Sequence, residues 1–183
     1  SGRLDLKMGG LGVPLPVRLA YKDFEMPLSG PDDGNGRRSI YLEARRNYPQ
    51  PLLAAFDQPK PVLTVGQRNV TNVPAQSLTM WNDPFVLDNA RALAERVRRE
   101  APGDLRAQVS RAWRILFSAS PSPADLDLAL LHVAEQGEEL RTRLVPAPTK
   151  EGQPPPPAPD PQLEALASYC QVLLASNRFL TFD

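Results

Sequence analysis

Residues 82–101, NDPFVLDNARALAERVRREA, carry the clearest helical pattern in the chain. Apolar residues recur there at the spacing of one helix face: Val86, Ala90, Leu93, Ala94 and Val97. Asp83 is a suitable N-cap, and Pro84 fits the first helical position, where its missing N–H leaves no hydrogen bond unmade. The stretch therefore predicts an amphipathic helix with a charged, solvated outer face.

Three further stretches, at 103–120, 120–136 and 160–180, have the same periodicity. In the third of these four helices, Ser122 is placed to act as the cap and Pro123 follows it. The side chains that these three helices are predicted to bury are Leu105, Val109, Ala112, Trp113, Leu116, Leu126, Ala129, Leu130, Val133, Leu163, Leu166, Cys170 and Leu174. The C-terminal half is therefore predicted to be a bundle-like helical unit.

Proline divides the chain, because eight of its 21 prolines lie in residues 145–161, VPAPTKEGQPPPPAPDP. Without apolar periodicity this segment is predicted to be an extended connector, and a stiff surface link between two helices is favoured over a recognition motif for a proline-binding domain. The chain, 1–183, is interpreted as a single domain and as the C-terminal portion of a larger one. It comprises a loop-rich segment at 1–80, three helices within 83–144, the connector at 145–161, and a C-terminal helix and tail at 162–183.

Glycine and proline recur through the first 80 residues, so no long helix is expected there. Residues 37–46, RRSIYLEARR, predict a short strand or hairpin, with Ile40 and Leu42 on one face and Tyr41 and Glu43 on the other. A short helix is predicted for PAQSLTMWN at 74–82. The predicted fold is mainly α, with an irregular N-terminal half that contains one short strand.

Composition excludes several functional classes. The 21 basic and 21 acidic side chains balance, which argues against nucleic acid as a partner. No apolar run approaches the roughly 20 residues of a membrane-spanning helix. With one cysteine, Cys170, and one histidine, His132, the chain offers neither an internal disulfide nor a zinc site, and it lacks the C-x-x-C-H motif of covalent haem. We therefore predict neither metal ligands nor a cofactor within this chain.

Arginine is the remaining chemical signal, with four arginines in residues 37–46. One interpretation is a binding site for a carboxylate, sulfate or phosphate, which the guanidinium group binds through two parallel hydrogen bonds. The candidate ligand-binding residues are Arg45, Arg46, Arg68 and Asp57. The sequence does not identify a catalytic residue and leaves open whether the chain is part of an enzyme.

The alternative, which we favour, is structural. In it the arginines pair with Asp57, Asp83, Glu43 or backbone carbonyls and hold an irregular region together. The residues assigned this structural role are Arg37, Arg38, Gln76, Asn82 and Asp83.

Four segments together resemble the C-terminal part of the planctomycete domain of unknown function DUF1553. They are LDLKMGG at 4–10, RRSIYLEARRNYPQPLLAAFDQP at 37–59, RNVTNVPAQSLTMWNDPFV at 68–86 and CQVLLASNRFL at 170–180. The chain departs from the family pattern near its end, where Ala175, Arg178 and Thr181 replace the usual residues. No activity is established for this family, so no catalytic residue is carried over.

The resemblance implies a context. Such domains lie in large exported proteins, periplasmic, cell-surface or secreted, that also carry a c-type haem in a separate cytochrome domain. The implied role is a non-catalytic structural or interaction module whose partners are upstream domains of the same protein. The alternative is a part of a redox-coupled or polysaccharide-acting enzyme, in which the arginine cluster binds an anionic sugar of an acidic polysaccharide.

Overall fold

A computed structural model describes residues 1–14, 30–31, 33–46, 49–60, 63–67, 71, 73–143 and 159–181. The chain divides into two compact units: a helical unit, Ser1–Gly2 with Val86–Asp183, and a loop-rich unit, Arg3–Phe85. Most of the described residues are helical, so the predicted mainly α class is confirmed. The assignment of 1–183 as one domain stays a prediction.

Two 3-10 turns, Gly34–Gly36 and Ser39–Tyr41, precede the α-helices of the described residues. Those helices are α1 (Pro51–Ala55), α2 (Pro74–Asn82), α3 (Pro84–Glu100), α4 (Leu105–Phe117), α5 (Pro123–Arg143), α6 (Pro161–Leu174) and α7 (Asn177–Leu180). The five helices predicted from the sequence are therefore present, whereas α1 was not predicted. The stretch predicted as one helix over 160–180 forms two helices, α6 and α7, and α5 continues beyond the predicted stretch 120–136 to Arg143. Residues 145–158 of the predicted connector lie outside the described residues.

The predicted caps begin their helices. Asp83 accepts a hydrogen bond from the Phe85 N–H at 2.9 Å at the start of α3. At the start of α5, the Ser122 hydroxyl accepts from the Asp125 N–H at 3.2 Å, while the Asp125 carboxylate accepts from the Ser122 N–H at 3.3 Å. This reciprocal pair satisfies two backbone donors that the first helical turn leaves unpaired.

The core of the helical unit forms where α3, α4, α5 and α6 turn their apolar faces to one another. All five predicted α3 side chains are buried, and all of them except Val86 belong to this core. Its largest fully buried side chains are Leu93, Val97, Val109, Leu166 and Cys170. Leu105, predicted to face inward, is exposed instead because it is the first residue of α4. Gly137 of α5 is buried against Ala165 of α6, where a Cβ on Gly137 would lie 3.9 Å from the Ala165 Cβ.

The strand predicted over residues 37–46 is wrong. Ser39–Tyr41 form a 3-10 turn, closed by hydrogen bonds from the Tyr41 N–H to the Arg38 carbonyl and from the Leu42 N–H to the Ser39 carbonyl. On either side of it lie isolated parallel bridges, Asp5 with Arg37 and Val13 with Leu42. Because the turn interrupts the alternation of side chains that a strand requires, the two bridges do not extend into a strand pair. Ile40, predicted to lie on one face of the strand, is 81% exposed.

Candidate functional site

Arg37 holds the N-terminal segment of the loop-rich unit in place. Its side chain is only 10% exposed, and Nη2 donates to the carbonyls of Lys7 at 3.1 Å and Gly9 at 2.8 Å. Its guanidinium carbon lies 4.1 Å from the centroid of the Tyr41 ring, within the range of a cation–π contact. Arg37 therefore serves an internal structural purpose.

Tyr41 links the same segment to a second arginine. Its phenolic oxygen accepts a hydrogen bond from the Gly9 N–H at 3.1 Å and one from Arg38 Nη2 at 3.5 Å. These two bonds, the Gly9 bond first, lower the pKa of Tyr41 because they favour its ionised form. Arg38 itself is exposed.

Asp57 lies at a turn in the backbone that follows α1. Its φ is +59°, and the next residue, Gln58, donates its N–H to the Leu53 carbonyl at 3.0 Å, which closes the end of the helix. The Asp57 carboxylate accepts from the Thr71 N–H at 2.8 Å and from the Thr71 hydroxyl at 2.7 Å. Arg68, the predicted neighbour of Asp57 in a ligand site, lies outside the described residues.

The polar residues assigned to a structural role bond to nearby backbone. Gln76 is buried and donates to the Thr71 carbonyl at 3.0 Å. Asn82 donates to the Leu78 carbonyl, four residues earlier in α2, at 2.8 Å. With Asp83 at the start of α3, these side chains satisfy backbone groups where helices begin and end.

Arg45 and Arg46 meet at a pocket of about 220 Å³ in the loop-rich unit. Arg45 donates from Nε at 3.2 Å and from Nη2 at 2.9 Å to one oxygen, Oε2, of Glu43. Arg46 is exposed, and its side chain makes no hydrogen bond or ion pair among the described residues. The residues that line the pocket are Ser39, Leu42, Glu43, Ala44, Arg45, Arg46, Pro49, Gln50, Leu53, Ala54, Gln58, Pro59 and Lys60.

Two of the four candidate ligand-binding residues therefore share one pocket. Asp57 lines a neighbouring depression of about 340 Å³ instead. Lys60 and Gln58, which the sequence did not single out, complete the pocket with Arg45 and Arg46. Both residues belong to FDQPKP at 56–61, whose polar side chains are visible in the sequence. Their position beside the arginines depends on the left-handed turn of the backbone at Asp57.

The nucleophilic side chains of the helical unit do not form a comparable site. His132 Nε2 lies 3.3 Å from the Ser168 hydroxyl, but no carboxylate orients the imidazole among the described residues. Cys170 is fully buried, and desolvation raises the pKa of its thiol to about 12. Within the described ranges, no group of three or more acidic, histidine or cysteine side chains is placed to hold a metal ion, and no helix has the length and apolar character needed to cross a membrane.

Comparison with known sequences places these features in a family. The model of the PSD1 family, a family of proteins of unknown function (DUF1553), matches residues 1–133. The match includes three of the four resembling segments, whereas CQVLLASNRFL at 170–180 lies beyond it. No curated protein and no solved structure matches the chain. Because the matched residues make up well over half of the sequence and contain the arginine-held segment and the pocket, the chain belongs to the DUF1553 family.

Proposed function

We propose that the chain is a non-catalytic interaction module of a large exported protein of planctomycete type, in which a separate domain carries a c-type haem. In this role it docks against an upstream domain of the same protein, in the periplasm or at the cell surface. Family membership supports the context. One structural observation carries the docking role: an apolar row on the segment that Arg37 holds.

That row consists of Leu4, Leu6 and Met8, which are 57%, 70% and 79% exposed. The intervening residues bond inward: the Asp5 N–H donates to the Gly36 carbonyl at 2.8 Å, and Arg37 binds the carbonyl of Lys7. Three large apolar side chains are thus held at alternate positions on the surface. A fixed apolar row of this kind is typical of a protein–protein contact.

The backbone indicates what kind of partner would cover the row. The N–H and C=O groups of Leu4, Leu6 and Met8 make no hydrogen bond among the described residues. An extended segment that lies alongside would satisfy them and would cover the apolar side chains at the same time. We therefore assign the partner as an extended segment of the neighbouring upstream domain.

Hydrogen exchange tests this proposal. The amides of residues 4–8 should exchange at least tenfold more slowly in the longest natural protein that contains this chain than in the chain alone. Leu6→Lys should remove that protection, whereas Leu128→Lys, at an equally exposed position (66%) on α5, should leave it intact. Equal exchange rates in the two proteins would rule out docking at this row.

The pocket at Arg45 and Arg46 favours a second candidate function. In it, the chain forms part of a redox-coupled or polysaccharide-acting enzyme and binds an anionic sugar, while the reaction takes place in another domain. The supporting observation is the exposed Arg46 side chain, which has no partner among the described residues. Conversion of an acidic oligosaccharide by the complete protein, lost in Arg46→Ala, would support this role; unchanged conversion would exclude it.

A further inference from the structure

We infer that the pocket between α1 and residues 39–46 binds one sugar-acid unit, with its carboxylate at Arg46 and Lys60 and its hydroxyl groups at the amides of Gln50 and Gln58. The inference deepens the second candidate function, on which its ligand class rests, but it requires no catalysis. It is independent of docking at the Leu4–Met8 row.

The charge of the pocket supports an anionic ligand. Its lining contains three cationic side chains and one carboxylate, that of Glu43. That carboxylate is already bonded to Arg45, which leaves Arg46 and Lys60 as the cations whose side chains have no partner among the described residues. A guanidinium offers a carboxylate two parallel hydrogen bonds, and an ammonium adds a third donor nearby.

The rest of the lining fits a hydroxylated ring. Leu42, Leu53 and Pro59 supply apolar surface against which the C–H groups of a sugar ring can pack. Gln50 accepts from the Leu53 N–H through Oε1 at 3.0 Å, so its amide NH₂ remains available as a donor. The Gln58 amide makes no hydrogen bond within the described part of the chain and can both donate and accept.

The size and charge of this pocket fit one acidic unit. Pockets for drug-sized ligands occupy about 300–1,000 Å³, whereas this one holds about 220 Å³. A second carboxylate on the ligand would also approach Glu43 and be repelled by it. Glu43 is fixed there both by Arg45 and by its own N–H, which donates to the Val13 carbonyl at 2.9 Å. Arg45 is thus a positioning residue: its side chain holds the Glu43 carboxylate in place.

The test is a nuclear magnetic resonance titration of the chain with D-glucuronate as the probe. We expect saturable shifts confined to the pocket amides, with a Kd of about 1 mM. D-glucose, which has the same ring without the carboxylate, should bind at least about tenfold more weakly because it cannot form the charged hydrogen bonds. Arg46→Ala and Lys60→Ala should each weaken glucuronate binding by a similar factor.

Controls separate this site from simple charge effects. Arg114→Ala removes an exposed arginine of α4 in the helical unit and should leave the Kd unchanged. Arg46 and Lys60 are exposed, so both variants should keep the melting temperature of the natural chain. Leu6→Lys should bind glucuronate normally, which distinguishes failure of the docking role from failure of this site.

Three results would overturn the inference. One is binding of acetate or sulfate as tight as that of glucuronate, which would show that the pocket selects only for negative charge. Another is equal binding of glucose and glucuronate. The third is an unchanged Kd in both the Arg46→Ala and Lys60→Ala variants.

Discussion

The guanidinium carbon of Arg178 lies 5.4 Å from the centroid of the Trp113 ring. It also lies 5.0 Å from the centroid of Phe117, whose ring meets that of Trp113 edge to face at 4.9 Å. Through this contact the short helix α7 is held against α4. Arg178 lies beyond residues 1–133, which the DUF1553 model matches, and its side chain packs α7 against α4.

Loss of the Arg178 side chain should weaken the end of the helical unit. An exposed cation–π contact contributes about 0.5–1 kcal/mol, so Arg178→Ala should lower the free energy of unfolding by about that amount. Arg178→Lys should lose less, because the charge remains. Urea denaturation followed by tryptophan fluorescence measures both, and an Ala variant as stable as the natural chain would show that the contact contributes nothing.

Arg37 should matter more than its neighbour Arg38. Arg37→Ala removes two charged hydrogen bonds from a largely buried side chain and should cost about 1–2 kcal/mol; it should also speed exchange of the Gly9 amide, which bonds to Tyr41. Arg38→Ala is the matched control, since that side chain is exposed and makes one long bond at 3.5 Å. Equal effects of the two variants would contradict the role given to Arg37.

Glu100 should make stability depend on pH in the acidic range. Hydrogen bonds from Arg96 at 2.8 Å and Arg111 at 2.6 Å lower the pKa of Glu100 from 4.5 to about 2. A carboxyl whose pKa is depressed on folding stabilises the folded state above its unfolded pKa. That stabilisation should therefore be complete above pH 4.5 and lost progressively as pH falls toward 2.

The variant Glu100→Gln checks this dependence. Its melting temperature should be lower than that of the natural chain at neutral pH, and it should fall less between pH 5 and pH 2. Glu135→Gln, at an exposed position of α5 that makes no ion pair among the described residues, is the control. If the melting temperature of Glu100→Gln depends on pH in the same way as that of the natural chain, the two arginines do not stabilise the fold through this carboxylate.

Two glycines should respond in opposite directions to alanine. A Cβ at Gly137 would lie 3.9 Å from the Ala165 Cβ, an ordinary contact, so Gly137→Ala should stabilise α5 by up to about 1 kcal/mol through helix propensity. At Gly34, φ is +59° and a Cβ would lie 2.8 Å from Leu42 Cδ2. Gly34→Ala should therefore destabilise the chain by about 1 kcal/mol or more.

Thermal melts of the two variants give the comparison directly. Because Leu42 also lines the pocket, Gly34→Ala should in addition weaken glucuronate binding, whereas Gly137→Ala should not. Destabilisation by Gly137→Ala would mean that α5 and α6 pack too tightly there for a methyl group. No loss of stability in Gly34→Ala would mean that Leu42 moves aside at no cost.

The helical unit was largely predictable because its signals are local. The four longer helices, α3 to α6, each have their own cap and their own apolar stripe, so Asp83 and Ser122 could be assigned without knowledge of any distant residue. The predicted strand failed for the opposite reason. The conformation of residues 37–46 depends on Asp5 and Val13, about 30 residues earlier in the chain. Asp5 bridges to Arg37 and Val13 to Leu42, and the residues between these two bridges form a turn.

The sequence by itself determined the mainly α class, the presence of five helices, the buried face of α3 and membership of the DUF1553 family, since periodicity, caps and ordered motifs are properties of the chain. Only the tertiary structure decided which arginines serve the fold and which line a pocket. Arg37 and Arg46 are chemically identical, and their difference lies in what the folded backbone brings within hydrogen-bonding distance. Two carbonyls and an aromatic ring enclose Arg37, whereas the left-handed turn at Asp57 places Gln58 and Lys60 around the pocket at Arg46.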